Sequence, residues 1–203
     1  MASTPSRTGR QFQRYDQGCR QVVGCIPYRY KKTNQFSSIG GTHVEELEFL
    51  LISSQKSERM MFPKGGWEID ESMEQAASRE TLEEAGAVGI VEHKLGNWSF
   101  KSKSQGTFHD GHMFPLRVTE LLDSWPEENV RRRAWMTAKE AREACDHLWM
   151  KEALDRLVCR LKHPQPKEEE NQRPCGLEFL TEEPRMSIVS QNGEEEVDRC
   201  LVS

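Results

Sequence analysis

No stretch of this 203-residue sequence approaches the ~18–20 consecutive apolar residues that a bilayer-spanning helix requires. The N-terminus lacks the hydrophobic core of a secretory signal, so export is not expected. Cysteine is scarce. Cys19, Cys25, Cys145, Cys159, Cys175 and Cys200 form no C-x-x-C pair and show no metal-ligand spacing, and six in a chain of this length are too few for a disulfide scaffold. That usage points to a reducing intracellular compartment. No internal repeat is present. Nor is there an excess of positive charge: the formal net charge is −5, which does not suit a duplex nucleic-acid binder with its strongly basic face.

What the chain does have is charge unevenly spread. From His163 to the end there are ten acidic and four basic residues, a net of −6, so residues 1–162 carry −5 − (−6) = +1. Charged residues make up 30% and mean hydropathy is −0.77, too polar for every segment to pack. The chain therefore reads as a basic N-terminal arm over 1–17, a near-neutral domain over 18–162, and an acidic tail over 163–203 that is expected to be disordered. The arm holds Arg7, Arg10 and Arg14, is rich in Ser and Thr, and has no acid before Asp16. That composition suits a mitochondrial presequence and equally a mobile basic arm in a cytoplasmic protein.

Within the domain, "RQVVGCIPYRY" (20–30) predicts a strand, with Pro27 at a bulge or edge. "TNQFSSIGGTHVEE" is polar and turn-rich, so a loop. "LEFLLISS" (47–54) is a short apolar run of the kind a buried strand shows. "QKSERM" reads as a turn, and "MFPKGGW" as a strand end entering a glycine loop. A helix is predicted from a cap between 70 and 72 to about Ala85, with Gly86 as left-handed C-cap. "AVGIVEHKLGNWSFKS" reads as one or two strands around a turn at Gly96 and Asn97. "GHMFPLRVTELL" reads as another strand, and "SWPEENVRRRAWMT" as a loop followed by a short strand. Thr137 opens "TAKEAREACDHLWMKEALDRLVCRLK" with a T-x-x-E capping box, and apolar residues recur at helical period through Leu161. That is one amphipathic helix, or two broken near His147, ended by Pro164 and Pro166.

The chemistry concentrates in "FPKGGWEIDESMEQAASRETLEEAGA". On a helix, Glu80, Glu83 and Glu84 stand at i, i+3 and i+4 and share one face, where like charges repel by a few tenths of a kcal/mol per pair. Acidic faces of this kind are commonly just solvated. Grouped hard oxygens also suit Mg²⁺ or Mn²⁺, which would remove the repulsion. Gly65 and Gly66 allow close approach of backbone to a phosphate, and Lys64 adds positive charge beside them. Together these imply metal-assisted attack of water on a phosphoanhydride.

The spacing is more telling than the composition. Gly65, five residues, Glu71, seven residues, then Arg79-Glu80-Thr81-Leu82-Glu83-Glu84-Ala85-Gly86-Ala87 resembles the Nudix box, G-x5-E-x7-R-E-U-x-E-E-x-G-U with U a bulky aliphatic. Every fixed Gly, Glu and Arg is present; Thr81 and Ala87 depart from the U positions, where packing rather than metal binding is at stake. "RYDQGCRQVVGCIPYR" and "WPEENVRRRAWMTAKEA" are similar to the flanks of the diphosphoinositol polyphosphate phosphohydrolase-like branch, and "FPKGGWE" to its plant members. The resemblance covers roughly residues 7–160. It implies an α/β fold, an α/β/α sandwich around a mixed sheet, and Mg²⁺-dependent (or Mn²⁺-dependent) hydrolysis of nucleoside diphosphates linked to another moiety, or of related pyrophosphates. Carried over residue by residue, Glu80 and Glu84 match the metal ligands, Glu83 the proton acceptor, Glu71 an accessory metal or water contact, and Arg79 the residue that braces the glutamates.

Members of that branch act on diphosphoinositol polyphosphates and long diadenosine polyphosphates, so the partner implied is a small polyanionic pyrophosphate. Arg20, Lys64, Lys101, Lys103 and the arginine run ending at Arg133 are the candidate cations, each of them alternatively a solvated surface residue. Trp67, Trp98 and Trp135 are candidates to stack on an adenine or, more simply, core tryptophans. His109-Asp110-Gly111-His112 reads as a polar hairpin loop rather than a metal pair. A monomer is expected. Two other classes stay open: a non-catalytic nucleotide or inositol phosphate sensor, and a membrane-associated adaptor. The last rests on Cys200-Leu201-Val202-Ser203, which fits a farnesylation signal, although the acidic residues upstream lack the polybasic segment that would help a single weak lipid anchor. Lipid labelling tests it directly: a label lost in Cys200→Ser supports the adaptor, and no Cys200-dependent label ends it.

Overall fold

The computed structural model describes residues 9–36, 43–55, 57–102 and 106–163. These belong to one compact unit, residues 1–165; a second unit, residues 166–203, holds the acidic tail and lies outside the described residues, as do Lys103, Cys175, Cys200 and both prolines expected to end the last helix. In chain order the elements are β1 (Tyr15–Asp16), β2 (Cys19–Phe36), β3 (His43–Ser54), β4 (Ser57–Met61), β5 (Lys64–Gly66), α1 (Met73–Ala85), β6 (Ala87–Val91), β7 (Gly96–Lys101), β8 (Phe108–Leu121), β9 (Arg133–Thr137), α2 (Ala138–Ala144) and α3 (Leu148–Lys162).

The strands form one mixed sheet with the order β4-β3-β2-β8-β6; β1 and β5 add to β2, β7 to β8 and β9 to β3. The central pair β2 and β8 is parallel and the other pairs are antiparallel. Because side chains alternate across a strand, neighbouring residues bury into opposite layers. Val23, Cys25, Phe114 and Leu116 pack under α1 against Ala76 and Ala77. Leu50 and Ile52 do so against Ala85 and Ala87. Ile26, Phe49, Leu51 and Met113 face the other way, onto Met150, Leu154 and Leu157 of α3. Burial on both faces is why β3 reads as an unbroken apolar run. The result is the expected α/β/α sandwich around a mixed sheet.

Helix α1 begins and ends where its sequence dictates. Ser72 and Gln75 form a reciprocal capping box, and Gly86 closes the helix at φ 62° with its N–H donating to Leu82 O. Alanines let the helix lie close on the sheet. Thr81, fully buried, satisfies its hydroxyl on Ala77 O at 2.7 Å, which explains how a polar residue occupies an aliphatic position of the box. The second helical segment is broken at Cys145, whose backbone is extended and bridges to Met60 of β4.

Several expectations are corrected by long-range pairing. The hairpin β2–β3 continues to Phe36 and resumes at His43, so much of the supposed loop is strand. The supposed turn "QKSERM" supplies the edge strand β4, whose Met60 and Met61 pair with Ser53 and Ile52. Gly96 and Asn97 are not a turn: they start β7 and pair with Met113 and His112 of β8, while β6 pairs elsewhere on β8. The tetrapeptide at 109–112 is strand rather than loop. Pro27 lies in the sheet centre rather than at an edge, in the gap after β5 pairing ends at Gly24 and before β3 pairing starts at Tyr28.

Gly86 gives a direct check of the helix stop. A Cβ there would lie 2.8 Å from Trp125 and 2.7 Å from the Arg133 guanidinium, at a left-handed φ that L-residues disfavour. Gly86→Ala should lower stability by at least about 1–2 kcal/mol in a urea melt. An unchanged midpoint would contradict both the strain and the crowding.

Candidate functional site

Strand β5 places the glycine pair. It lies antiparallel on β2, with Gly65 opposite Val23 and Gly66 opposite Val22. The space a Gly65 side chain would fill is taken by the Glu80 carboxylate, and that of Gly66 by Gln13 and Arg20. The glycines are therefore required for protein carboxylate and guanidinium to lie against the backbone, beside whatever phosphate approaches.

Arg79 is the hub of the acidic face. Its Nε and Nη2 donate to the two oxygens of Glu71 at 2.9 and 2.7 Å, Nη1 donates to Glu80 Oε1 at 2.8 Å, and Nη2 also donates to Gly66 O at 3.0 Å. Glu83 Oε2 stands 3.6 Å from Nη1. Burial works against the guanidinium's charge, yet the bonds to Glu71 and the charge of Glu80 raise its pKa further above the ordinary value. Glu84 is held separately: Oε2 accepts from Lys64 N at 2.8 Å, and Oε1 from Arg131. Arg131 also donates to Glu127 at 2.6 Å and to Ser53 O at 3.0 Å.

Five carboxylates, Glu71, Glu80, Glu83, Glu84 and Glu127, thus share two guanidiniums in these ion pairs. Two of the five, Glu80 and Glu84, titrate above the ordinary carboxylate range, and burial is the first cause in both. Burial pushes the Glu80 carboxyl up to about 7; Arg79 opposes the shift and the charges of Glu84 and Glu83 add to it. Burial raises Glu84 as well, against the pull of Lys64 and Arg131.

Glu80 and Glu84 line a cavity of about 700 Å³, together with Arg20, Lys64, Gly65 and Gly66. Phe100, Lys101, His109 and Trp149 line it too. Seven of the anticipated site residues, Lys101 among them, therefore meet at one cavity. Glu71 and Arg79 stand behind it as the brace, and Glu83 is buried on the same helix face. Arg133 does not join them. Its guanidinium donates to Ala85 O at 2.8 Å and Leu122 O at 2.6 Å and lies 3.8 Å above the Trp125 ring, holding the end of α1. The arginine of that run which reaches a site carboxylate is Arg131.

The tryptophans also fall elsewhere: Trp67 lies under Arg14, Trp98 under Arg156 and Trp135 under Arg29. The aromatic wall of the cavity is Phe100 stacked on Trp149 at 4.7 Å. His109 faces the cavity, its pKa lowered by burial and then by Arg20, Arg10 and Lys64; His112 instead bonds Gln21 at 2.9 Å. They are not a metal pair. Sequence reasoning missed Gln13, which lines the cavity and accepts from Arg20 Nε at 2.6 Å, and nothing in its context marks it. It missed the roles of Trp149 and His109 because a helical stripe and a polar tetrapeptide looked structural. Glu127 and Arg131 carry one faint signal, their i, i+4 spacing.

The donor set fits a hard divalent cation. Glu80 Oε2 accepts no hydrogen bond among the described residues, and a second buried carboxylate, Glu84, lines the same cavity. No group of three or more acidic, imidazole or thiol side chains converges as a ready-made cage among the described residues. Mg²⁺ does not need one: it typically takes one or two carboxylates, keeps waters and adds substrate phosphates.

Residues 40–157 match the model of the NUDIX domain. The chain is 62% identical over 171 residues to Nudix hydrolase 17, mitochondrial, of Arabidopsis thaliana, an alignment covering 83% of this chain and 91% of the other. It is 32% identical over 136 residues to diphosphoinositol polyphosphate phosphohydrolase 3-beta of Bos taurus, covering 64% and 73%. Among solved structures, the C. elegans Ap4A hydrolase superposes with a TM-score of 0.51 over 70% of this chain and 97% of its own, at 20% identity, a likeness of fold.

The raised Glu80 pKa fixes the sign of a pH effect. A carboxyl at about 7 when folded, against an ordinary 4.5, holds its proton longer in the folded state. Its contribution to stability is present at low pH and is lost as pH rises through about 7. A bound divalent cation would replace that proton. Mg²⁺ should therefore raise the melting temperature, relative to EDTA, more at about pH 8 than at about pH 6. Equal shifts at the two pH values would contradict this.

Proposed function

This chain belongs to the NUDIX family and is a Nudix hydrolase, and we propose that it is a Mg²⁺- or Mn²⁺-dependent pyrophosphohydrolase cleaving the phosphoanhydride bonds of diphosphoinositol polyphosphates or diadenosine polyphosphates. The observation that carries this reading is that Glu80 and Glu84, both largely withdrawn from solvent, line one cavity together with the glycine strand and Lys64.

In this reading Glu80 and Glu84 would hold the metal, while Glu71, with both oxygens on Arg79, serves the brace that keeps the carboxylates in register rather than an accessory metal contact. When bound, the ion supplies charge neutralisation at the phosphoryl oxygens and acidity to a water. Glu83, on the same helix face, accepts the proton of the attacking water. Oxygen of that water bonds to phosphorus, the bridging P–O bond breaks, and two phosphate-ended products leave. Lys64 and Arg20 meet the substrate's anionic oxygens at the cavity wall, and the glycines of Lys64–Gly66 leave room for Glu80 and Arg20 to lie against that strand. Phe100 and Trp149 offer an apolar surface in the same cavity. The bovine relative's name supports the inositol pyrophosphate class, and the Arabidopsis relative's name supports a mitochondrial location over a cytoplasmic one. No helix among the described residues is long and apolar enough to cross a membrane.

A substrate panel with and without Mg²⁺ tests the reading: diphosphoinositol polyphosphates, diadenosine polyphosphates, ADP-ribose and NADH, wild type against Glu83→Gln and Glu84→Gln. Both variants should lose about 10²–10⁴-fold in kcat while their circular dichroism is unchanged. Undiminished turnover by Glu84→Gln would remove this site from the reaction, and the preferred member of the panel identifies the substrate class.

A further inference from the structure

We propose that Arg131 is the positioning residue for Glu84, fixing the plane of its carboxylate so that it is presented ready-oriented to a divalent cation. The inference rests on the metal-binding role given to Glu84 above. It does not follow from the box, which ends at Ala87, 44 residues before Arg131.

The geometry is specific. Glu84 is 6% exposed, and its two oxygens are held from two different segments: Oε2 by the Lys64 N–H of β5 and Oε1 by the Arg131 guanidinium of the loop before β9. A carboxylate gripped at both oxygens can neither rotate about its terminal bond nor swing to another rotamer. Arg131 is itself immobilised. Its Nε is on Glu127 at 2.6 Å and its Nη1 on Ser53 O at 3.0 Å, while the Ser53 N–H donates to Arg132 O at 2.8 Å and the Arg132 N–H to Ser53 Oγ at 2.9 Å. The Glu127 N–H, in turn, donates to Glu83 O at 3.1 Å, so the anchoring loop is tied to the same helix that carries the ligand. Three donor directions from one planar fork are used at once, which a lysine cannot reproduce. A cation present only to offset charge would need none of this.

Mn²⁺ binding read by electron paramagnetic resonance, well below the melting temperature, tests the role apart from turnover. Wild type should bind Mn²⁺ and Glu84→Gln should not bind it at the same site; failure here would sink the metal reading itself. Given that wild-type binding, Arg131→Lys, which keeps the charge and loses the fork, should weaken Mn²⁺ affinity several-fold, and Arg131→Met about tenfold or more. Wild-type affinity in Arg131→Lys would show that charge alone matters and overturn the proposal. Tighter binding in Arg131→Met would mean that Arg131 competes with the metal, and would overturn it equally. If Arg131→Met fails to fold, Arg131→Lys decides alone.

Discussion

Arg79 gives its guanidinium to both oxygens of Glu71, to Glu80 and to the Gly66 carbonyl, and in doing so joins the glycine strand, the loop after it and helix α1. A buried carboxylate without such a partner would be expensive enough to protonate or to displace the helix. With it, Glu80 lies against the Gly65 backbone and stays there. The rest of the site depends on this contact. If α1 moved outward, Glu84 would leave the Lys64 N–H and the cavity wall would open. Burial nevertheless outweighs the neighbouring cations, so the Glu80 and Glu84 carboxyls both titrate above the ordinary range.

The second constraint sits at the other end of the helix. The last turn of α1 carries no basic residue, so its free carbonyls are met from outside. Arg133 takes Ala85 O, the Leu122 N–H takes Gly86 O, and the Glu127 N–H takes Glu83 O. The connection between β8 and β9 therefore serves both as a helix cap and as the mount for Arg131. Two arginines separated by one residue have distinct tasks, one on carbonyls and one on a carboxylate.

What could be read from the sequence was what local geometry decides. Helical phase alone puts Glu80, Glu83 and Glu84 on one face; Ser72 and Gly86 mark the ends; double-sided burial writes β3 as a continuous apolar run. What could not be read depends on partners far along the chain. His109 and Asp110 look like loop residues until β8 is flanked by β2 and β7, where Ser99 and Gln21 satisfy Asp110 at 2.5 and 3.2 Å. Gly96 and Asn97 look like a turn until Met113 and His112 pair with them. Nothing local separates Arg131 from Arg133, because the difference lies in which of Ser53, Glu84 or Ala85 the fold brings to each.

The parallel junction of β2 with β8 also shapes how the molecule comes into being. Gln21 and Asp110, bonded across that junction, are 89 positions apart. The helix with its glutamates is synthesised between them, before the strand that completes its floor exists. At about 5–20 residues per second, the chain that separates these two partners takes several seconds to make, and the sheet under the helix closes only afterwards.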